Sequence, residues 1–69
     1  MPTLTLEVAP LQTPARDRQL AQALTTLTAQ LLGKRREVTA VLIESLPAGS
    51  WYVGGDAVRR PTALLEISI

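Results

Sequence analysis

Histidine and cysteine, the side chains most often used to move protons or attack carbonyls near neutral pH, are both absent from this chain. Serine and cysteine triads are therefore excluded, as is the usual zinc site. No glycine-rich phosphate loop of either common pattern occurs. What remains for chemistry is an amine, a few cations and the aromatic pair Trp51-Tyr52. The amine is at Pro2, which follows Met1 and opens the segment Thr3-Leu4-Thr5-Leu6-Glu7-Val8. Once Met1 is removed, the Pro2 nitrogen is a secondary amine tied to regular structure. An ordinary α-amino group titrates at about 7.7 to 8.0, burial or a nearby cation pulls that value down, and the neutral amine then takes protons at pH 7. The carboxylates Glu7, Asp17, Glu37, Glu44, Asp56 and Glu66 are scattered along the chain and read as solvated.

These groups are positioned by one small domain spanning residues 1–69. Thr3 to Val8 alternates strictly, with Leu4, Leu6 and Val8 on one face, the period of a half-buried strand. Pro10 ends it. Thr13-Pro14 starts a helix, Thr13 as N-cap and Pro14 at the first position, where a missing N–H costs nothing. Leu20, Leu24, Leu27 and Leu31 form a stripe facing the sheet, and Gly33 stops the helix. Lys34, Arg35 and Arg36 lie where cations complement the carbonyl end of the helix. Val38 to Glu44 is a near-continuous apolar and β-branched run, the pattern of a strand covered on both faces. Strand, helix and strand in this order make a β-α-β unit with two parallel strands and a right-handed crossover. After the Leu46-Pro47-Ala48-Gly49-Ser50 turn come a short aromatic hairpin strand, Trp51 to Gly55, closed by two glycines, and a last strand, Thr62 to Ile69, with Leu65, Ile67 and Ile69 sharing one face. The fold class is α/β, a two-layer unit whose single helix covers one face of the sheet.

Hydrophobic residues make up 46% of a chain too short to bury them well by itself, since a domain of this size hides only about 60% of its unfolded surface. Oligomerisation is the expected remedy. A net charge of +1 and an aromatic content of 3% provide neither the field nor the stacking surface for nucleic acid. No apolar run approaches the ~20 residues of a membrane span and no secretion leader is visible, so the expected compartment is the cytoplasm.

Met1-Pro2 opening a strand, a helix from Thr13-Pro14 to Gly33, a second strand, and then Pro47-Ala48-Gly49-Ser50-Trp51-Tyr52-Val53-Gly54-Gly55 together resemble the 4-oxalocrotonate tautomerase family. The resemblance covers about the first 55 residues. It implies a β-α-β protomer in a dimer-based oligomer, a hexamer or a trimer of pseudo-dimers, with the amino-terminal proline as acid and base and no cofactor or metal. Carried over position by position, the catalytic proline falls on Pro2 and the aromatic residue of the site wall on Trp51, with Val53 and Val8 or Ala9 completing the apolar lining. The two family arginines that hold a dicarboxylate fall on Gln12 and Ala40, which argues against the namesake substrate. Residues Asp56 to Ile69 resemble instead the middle of double-length members, among them haloacrylate dehalogenases and a malonate semialdehyde decarboxylase. Those enzymes hold small monocarboxylates with arginines near this strand, which makes Arg59 and Arg60 the implied substrate clamp and Arg16 and Arg18 lesser candidates.

The expected function is keto-enol proton transfer on a small 2-keto or 2-hydroxydienoic acid, with Pro2 as general base. Trp51 would exclude water, and Tyr52 is assigned a structural role because alternation turns it away from the Trp51 face. Two alternatives stand beside this: a dehalogenase- or decarboxylase-like activity on short monocarboxylates, and a catalytically silent subunit of a homo- or mixed oligomer, motivated by Gln12 and Ala40.

Overall fold

The computed structural model describes residues 1–68. Ile69, placed by its pattern on the face of Leu65 and Ile67, lies outside the described residues. Strand β1 (Thr3–Ala9) is the middle of a three-stranded sheet, paired in parallel with β2 (Ala40–Ser45) and antiparallel with β5 (Thr62–Ser68). The strand forms as read, but burial alternates only in part: Leu6 and Val8 are half-buried, and Ala9, on the other face, is buried. Leu4, 2% exposed, is buried beneath helix α1 (Pro14–Leu32), a burial that contributes about 1.5 to 3 kcal/mol.

The helix ends follow the local chemistry. Thr13 is extended at φ −74° and ψ 156°, and its Oγ1 accepts the Arg16 N–H at 3.1 Å. Gly33 closes the helix at φ 65°, a left-handed conformation that glycine adopts without penalty. Beyond it the structure departs from the sequence pattern. Residues Arg36–Val38 form one 3₁₀ turn, so β2 begins at Ala40 rather than Val38. The helix has no basic residue in its last turn. Arg35 instead pairs with Glu37 at 3.3 Å, and the Arg36 Nη1 donates to Thr26 Oγ1 at 2.8 Å.

The leucine stripe is displaced as well. Thr28 is the buried helix residue, its hydroxyl satisfied by donating to the Leu24 carbonyl at 2.8 Å, whereas Leu31 is 76% exposed. The cause is the helix position. It packs over β1 and β2 and leaves β5 bare, so Leu24, Leu27 and Leu31 overhang an apolar groove of about 230 Å³ with Leu65 and Ile67 on its floor. The helix gives the opposite side of the sheet no cover, and Leu42 in β2 is 52% exposed, so the expectation of a strand buried on both faces is not met by one chain alone.

After β2 the Leu46 N–H donates to the Val8 carbonyl at 2.8 Å and the chain turns at Pro47 to Ser50. The aromatic segment is the expected hairpin strand: β3 (Tyr52–Val53) returns as β4 (Asp56–Ala57) through Gly54 and Gly55, at φ 61° and 88°. Positive φ at both central residues is the requirement of the two-residue hairpin turn that matches strand twist. Leu4 and Ala9 are the buried aliphatic side chains among the described residues. No helix is long and apolar enough to cross a membrane.

Candidate active site

Pro2 lies immediately before β1 and is buried. Its carbonyl accepts the Ala40 N–H at 2.9 Å, so the first rung of the parallel ladder fixes its backbone. Met1, on the Pro2 nitrogen, is 82% exposed. While Met1 is attached that nitrogen is a tertiary amide with no basic lone pair; its removal would create an amine anchored at the edge of the core. The helix-to-strand connection, carrying Lys34, Arg35 and Arg36, returns the chain to this same end, a placement that follows from the parallel topology and not from the helix end alone. Arg35 and Arg36 are already engaged by Glu37 and Thr26.

The other candidates gather at the far end of β1. Arg59 and Arg60 line an open groove of about 560 Å³ with Val53, Asp56, Ala57 and Val58. Arg59 also borders an adjoining concavity of about 370 Å³ with Ala48, Gly49 and Ala57. Both arginines are exposed, and neither has an ion-pair partner among the described residues. Trp51 is half-buried in a third concavity, about 210 Å³, with Glu7, Leu46, Ser50 and Tyr52. Its carbonyl accepts the Val58 N–H at 2.7 Å, which ties the root of the hairpin to the segment entering Arg59. Tyr52 and Val53 are both exposed. Val8 is on the helix-facing side of β1, beside Ser45 and Ala63 in register, and touches the hairpin region through its carbonyl bond to Leu46.

The structure therefore brings Arg59, Arg60 and Val53 together and sets Trp51 nearby, but separates all of them from Pro2. Five residue steps separate Pro2 from Glu7, the β1 neighbour of Trp51, or about 16 Å at ~3.3 Å per residue. Thr62, two residues after Arg60, lies opposite Ala9 at the far end of the strand. No small carboxylate spans that gap. At the two positions where the resemblance expects arginines, Gln12 turns its side-chain amide onto the Pro10 carbonyl at 2.7 Å, and Ala40 has no side-chain donor. The Gln12 backbone N–H donates to Ser45 Oγ, which in turn donates to Asp17 Oδ1, so this corner is a closed structural network.

The family described as Tautomerase enzyme matches residues 2–60. The chain belongs to the tautomerase family. No curated protein matches it by sequence. Among solved structures, TomN, a 4-oxalocrotonate tautomerase homologue in the tomaymycin biosynthetic pathway, is 29% identical with a TM-score of 0.64, over 80% of this tautomerase chain and 82% of its own. A fused 4-OT, described as an asymmetric trimer, is 27% identical with a TM-score of 0.75, over 88% of this chain and 51% of its own. Native Ps01740, at 17% identity, shares the fold with a TM-score of 0.72, over 91% of this chain and 55% of its own. The tautomerase chain thus spans about half the length of these last two.

Proposed function

We propose that the chain, once Met1 is removed, catalyses keto-enol proton transfer on a small 2-keto or 2-hydroxydienoic acid in a site shared between copies. The Pro2 nitrogen of one copy removes a proton from the enol hydroxyl or from the acidic carbon. Arg59 and Arg60 of a neighbouring copy hold the carboxylate and balance the dienolate charge, and the same nitrogen returns the proton to another carbon. Trp51 and Val53 supply the apolar surface that excludes water and strengthens these charge interactions, while Val8, on the other face of β1 from Glu7, does not share it. Burial of Pro2 disfavours the charged amine, which keeps it neutral nearer to physiological pH. No cofactor takes part in this sequence of steps.

The observation that carries the reading is the pairing of a buried, ladder-fixed Pro2 with an exposed Met1 attached to its nitrogen. Family membership supports the reaction class. A solved relative described as a trimer, together with the sparse core of the single chain, supports a homo-oligomer. The test is an intact-mass measurement followed by an ultraviolet assay of enol ketonisation. The expected outcome is turnover by the Met1-free chain and none by a chain that retains Met1; equal rates in both would remove Pro2 from the mechanism.

One further observation favours a second reading. Gln12 is tied to Pro10 and Ala40 is bare, so neither family arginine has a counterpart in place. A subunit of this kind would assemble without turning over, and it would show no ketonisation even after Met1 is removed.

A further inference from the structure

Of the seven cations in the chain, six are exposed and Lys34 alone is half-buried. It directly follows Gly33, the left-handed residue that closes α1. The fold brings it to the Pro2 end of β1. Leu32, two residues before Lys34, and Leu4, two residues after Pro2, line the same apolar groove, and the connection onward from Lys34 ends where the Ala40 N–H donates to the Pro2 carbonyl. The neighbouring cations are engaged: Arg35 pairs with Glu37 at 3.3 Å, and the Arg36 Nη1 donates to Thr26 Oγ1 at 2.8 Å. Lys34 has no ion-pair partner among the described residues. Partial burial of an ammonium without a counter-ion is costly, and a local rule broken in this way tends to mark a functional position.

We propose that Lys34 is the electrostatic partner of the Pro2 amine, its ammonium holding that amine in the neutral, proton-accepting form. Lys34 acts through Pro2 and is a positioning residue, not a catalytic one. Once Met1 is gone, the amine meets three cations, Lys34, Arg35 and Arg36, against one carboxylate, Glu37, which Arg35 already holds. The strands around Pro2 add no charge close by. β2 offers neutral residues from Ala40 to Ile43 before Glu44, β5 sets Ser68 opposite Thr3 and an exposed Glu66 opposite Thr5, and the first acid of β1 itself is Glu7. Arg35 and Arg36 are exposed, where water and salt weaken their fields, whereas partial burial preserves that of Lys34. A like charge within ~4 to 6 Å disfavours protonation of an amine. Burial of Pro2 acts in the same direction, but only a cation also meets the negative charge that arises as a substrate loses its proton. That second role rests on the function proposed above; the coupling of the two charges does not.

Isotope-edited NMR of proline-labelled, Met1-free protein follows the Pro2 amine through its titration without reference to turnover. The wild-type midpoint is expected below the ~7.7 to 8.0 of an ordinary α-amine. Lys34→Met keeps the length of the stem and removes the charge. It should raise the midpoint by about one pH unit, the lower range for a charge at close quarters. The acid limb of kcat/KM should move with it, about a tenfold loss of rate well below the midpoint. Lys34→Arg should stay near the wild type, and Arg35→Ala should move the midpoint far less than Lys34→Met does. An unmoved midpoint in Lys34→Met, a Lys34→Arg variant that follows it, or an equal shift in Arg35→Ala would overturn the proposal. A midpoint that moves as expected in a chain that fails to ketonise enols would count against the proposed function alone.

Discussion

The two ends of β1 hold their chemistry in different ways. At the Pro2 end the proposed reactive atom belongs to the main chain of a buried residue whose carbonyl is held by the Ala40 hydrogen bond. At the hairpin end the chemistry belongs to the long, exposed side chains of Arg59 and Arg60, mounted just past a two-glycine turn. A base needs a set position and a dry environment, which a central strand provides. A clamp that must meet another copy needs reach, which a connecting segment provides. Each end is incomplete: one has a base with no engaged carboxylate holder beside it, the other has cations with no base.

Changes at the Pro2 end should have the largest effect. Pro2→Ala in the Met1-free chain is expected to lower kcat/KM by ~10² to 10⁴, the contribution of a positioned general base, while far-ultraviolet dichroism stays unchanged. In the unsubstituted chain the acid limb of the kcat/KM profile should lie below the ~7.7 to 8.0 of an ordinary α-amine, because burial favours the neutral form. At the hairpin end, joint replacement of Arg59 and Arg60 by Ala should raise KM by about 10- to 150-fold, the loss of a charge-assisted hydrogen bond worth ~1.5 to 3 kcal/mol. Steady-state kinetics with a monocarboxylate and a matching dicarboxylate would sharpen this further. Gln12 and Ala40 leave the second carboxylate without its family partners, so the monocarboxylate should be handled at least as well.

A smaller effect is expected from Gly55→Ala. Space for the methyl group is open, with nothing within 4 Å, so the cost comes from φ 88° alone, about 1 to 2 kcal/mol for an L side chain forced to positive φ. Thermal unfolding should register that loss, and KM should rise more than kcat falls if the hairpin serves only the clamp. Arg35→Ala should change KM by less than about twofold, because its exposed pair with Glu37 is worth little. A large Arg35 effect would move the clamp to the Pro2 end and dissolve the contrast between the two regions.

Much of the scaffold was legible because local chemistry dictates it. Alternation identified β1, Thr13-Pro14 and Gly33 bounded α1, and the β-branched run located β2 to within two residues. The tandem glycines signalled the aromatic hairpin, but the bounds of its return at Asp56–Ala57 were not legible, since two residues have no periodicity. The leucine stripe misled because periodicity gives a face and not a lateral position, and the helix settles over β2 rather than β5. Register escaped for a related reason: nothing local sets Glu7 beside Glu44, or Glu66 across from Thr5, until the strands pair. The site residues were read one by one, but the length of β1 that separates them emerges only from their placement in three dimensions.

The claim that the two ends meet between copies is tested most directly by complementation. A Met1-free Pro2→Ala chain and an Arg59→Ala, Arg60→Ala chain, carrying different tags, are co-expressed, and hybrids bearing both tags are isolated. At substrate concentrations well below KM each parent should be nearly inactive. Hybrid oligomers should recover a substantial fraction of wild-type kcat/KM, because some contacts pair an intact Pro2 with an intact arginine segment. Hybrids that form, as shown by both tags, yet stay as inactive as their parents would contradict a site shared in this way.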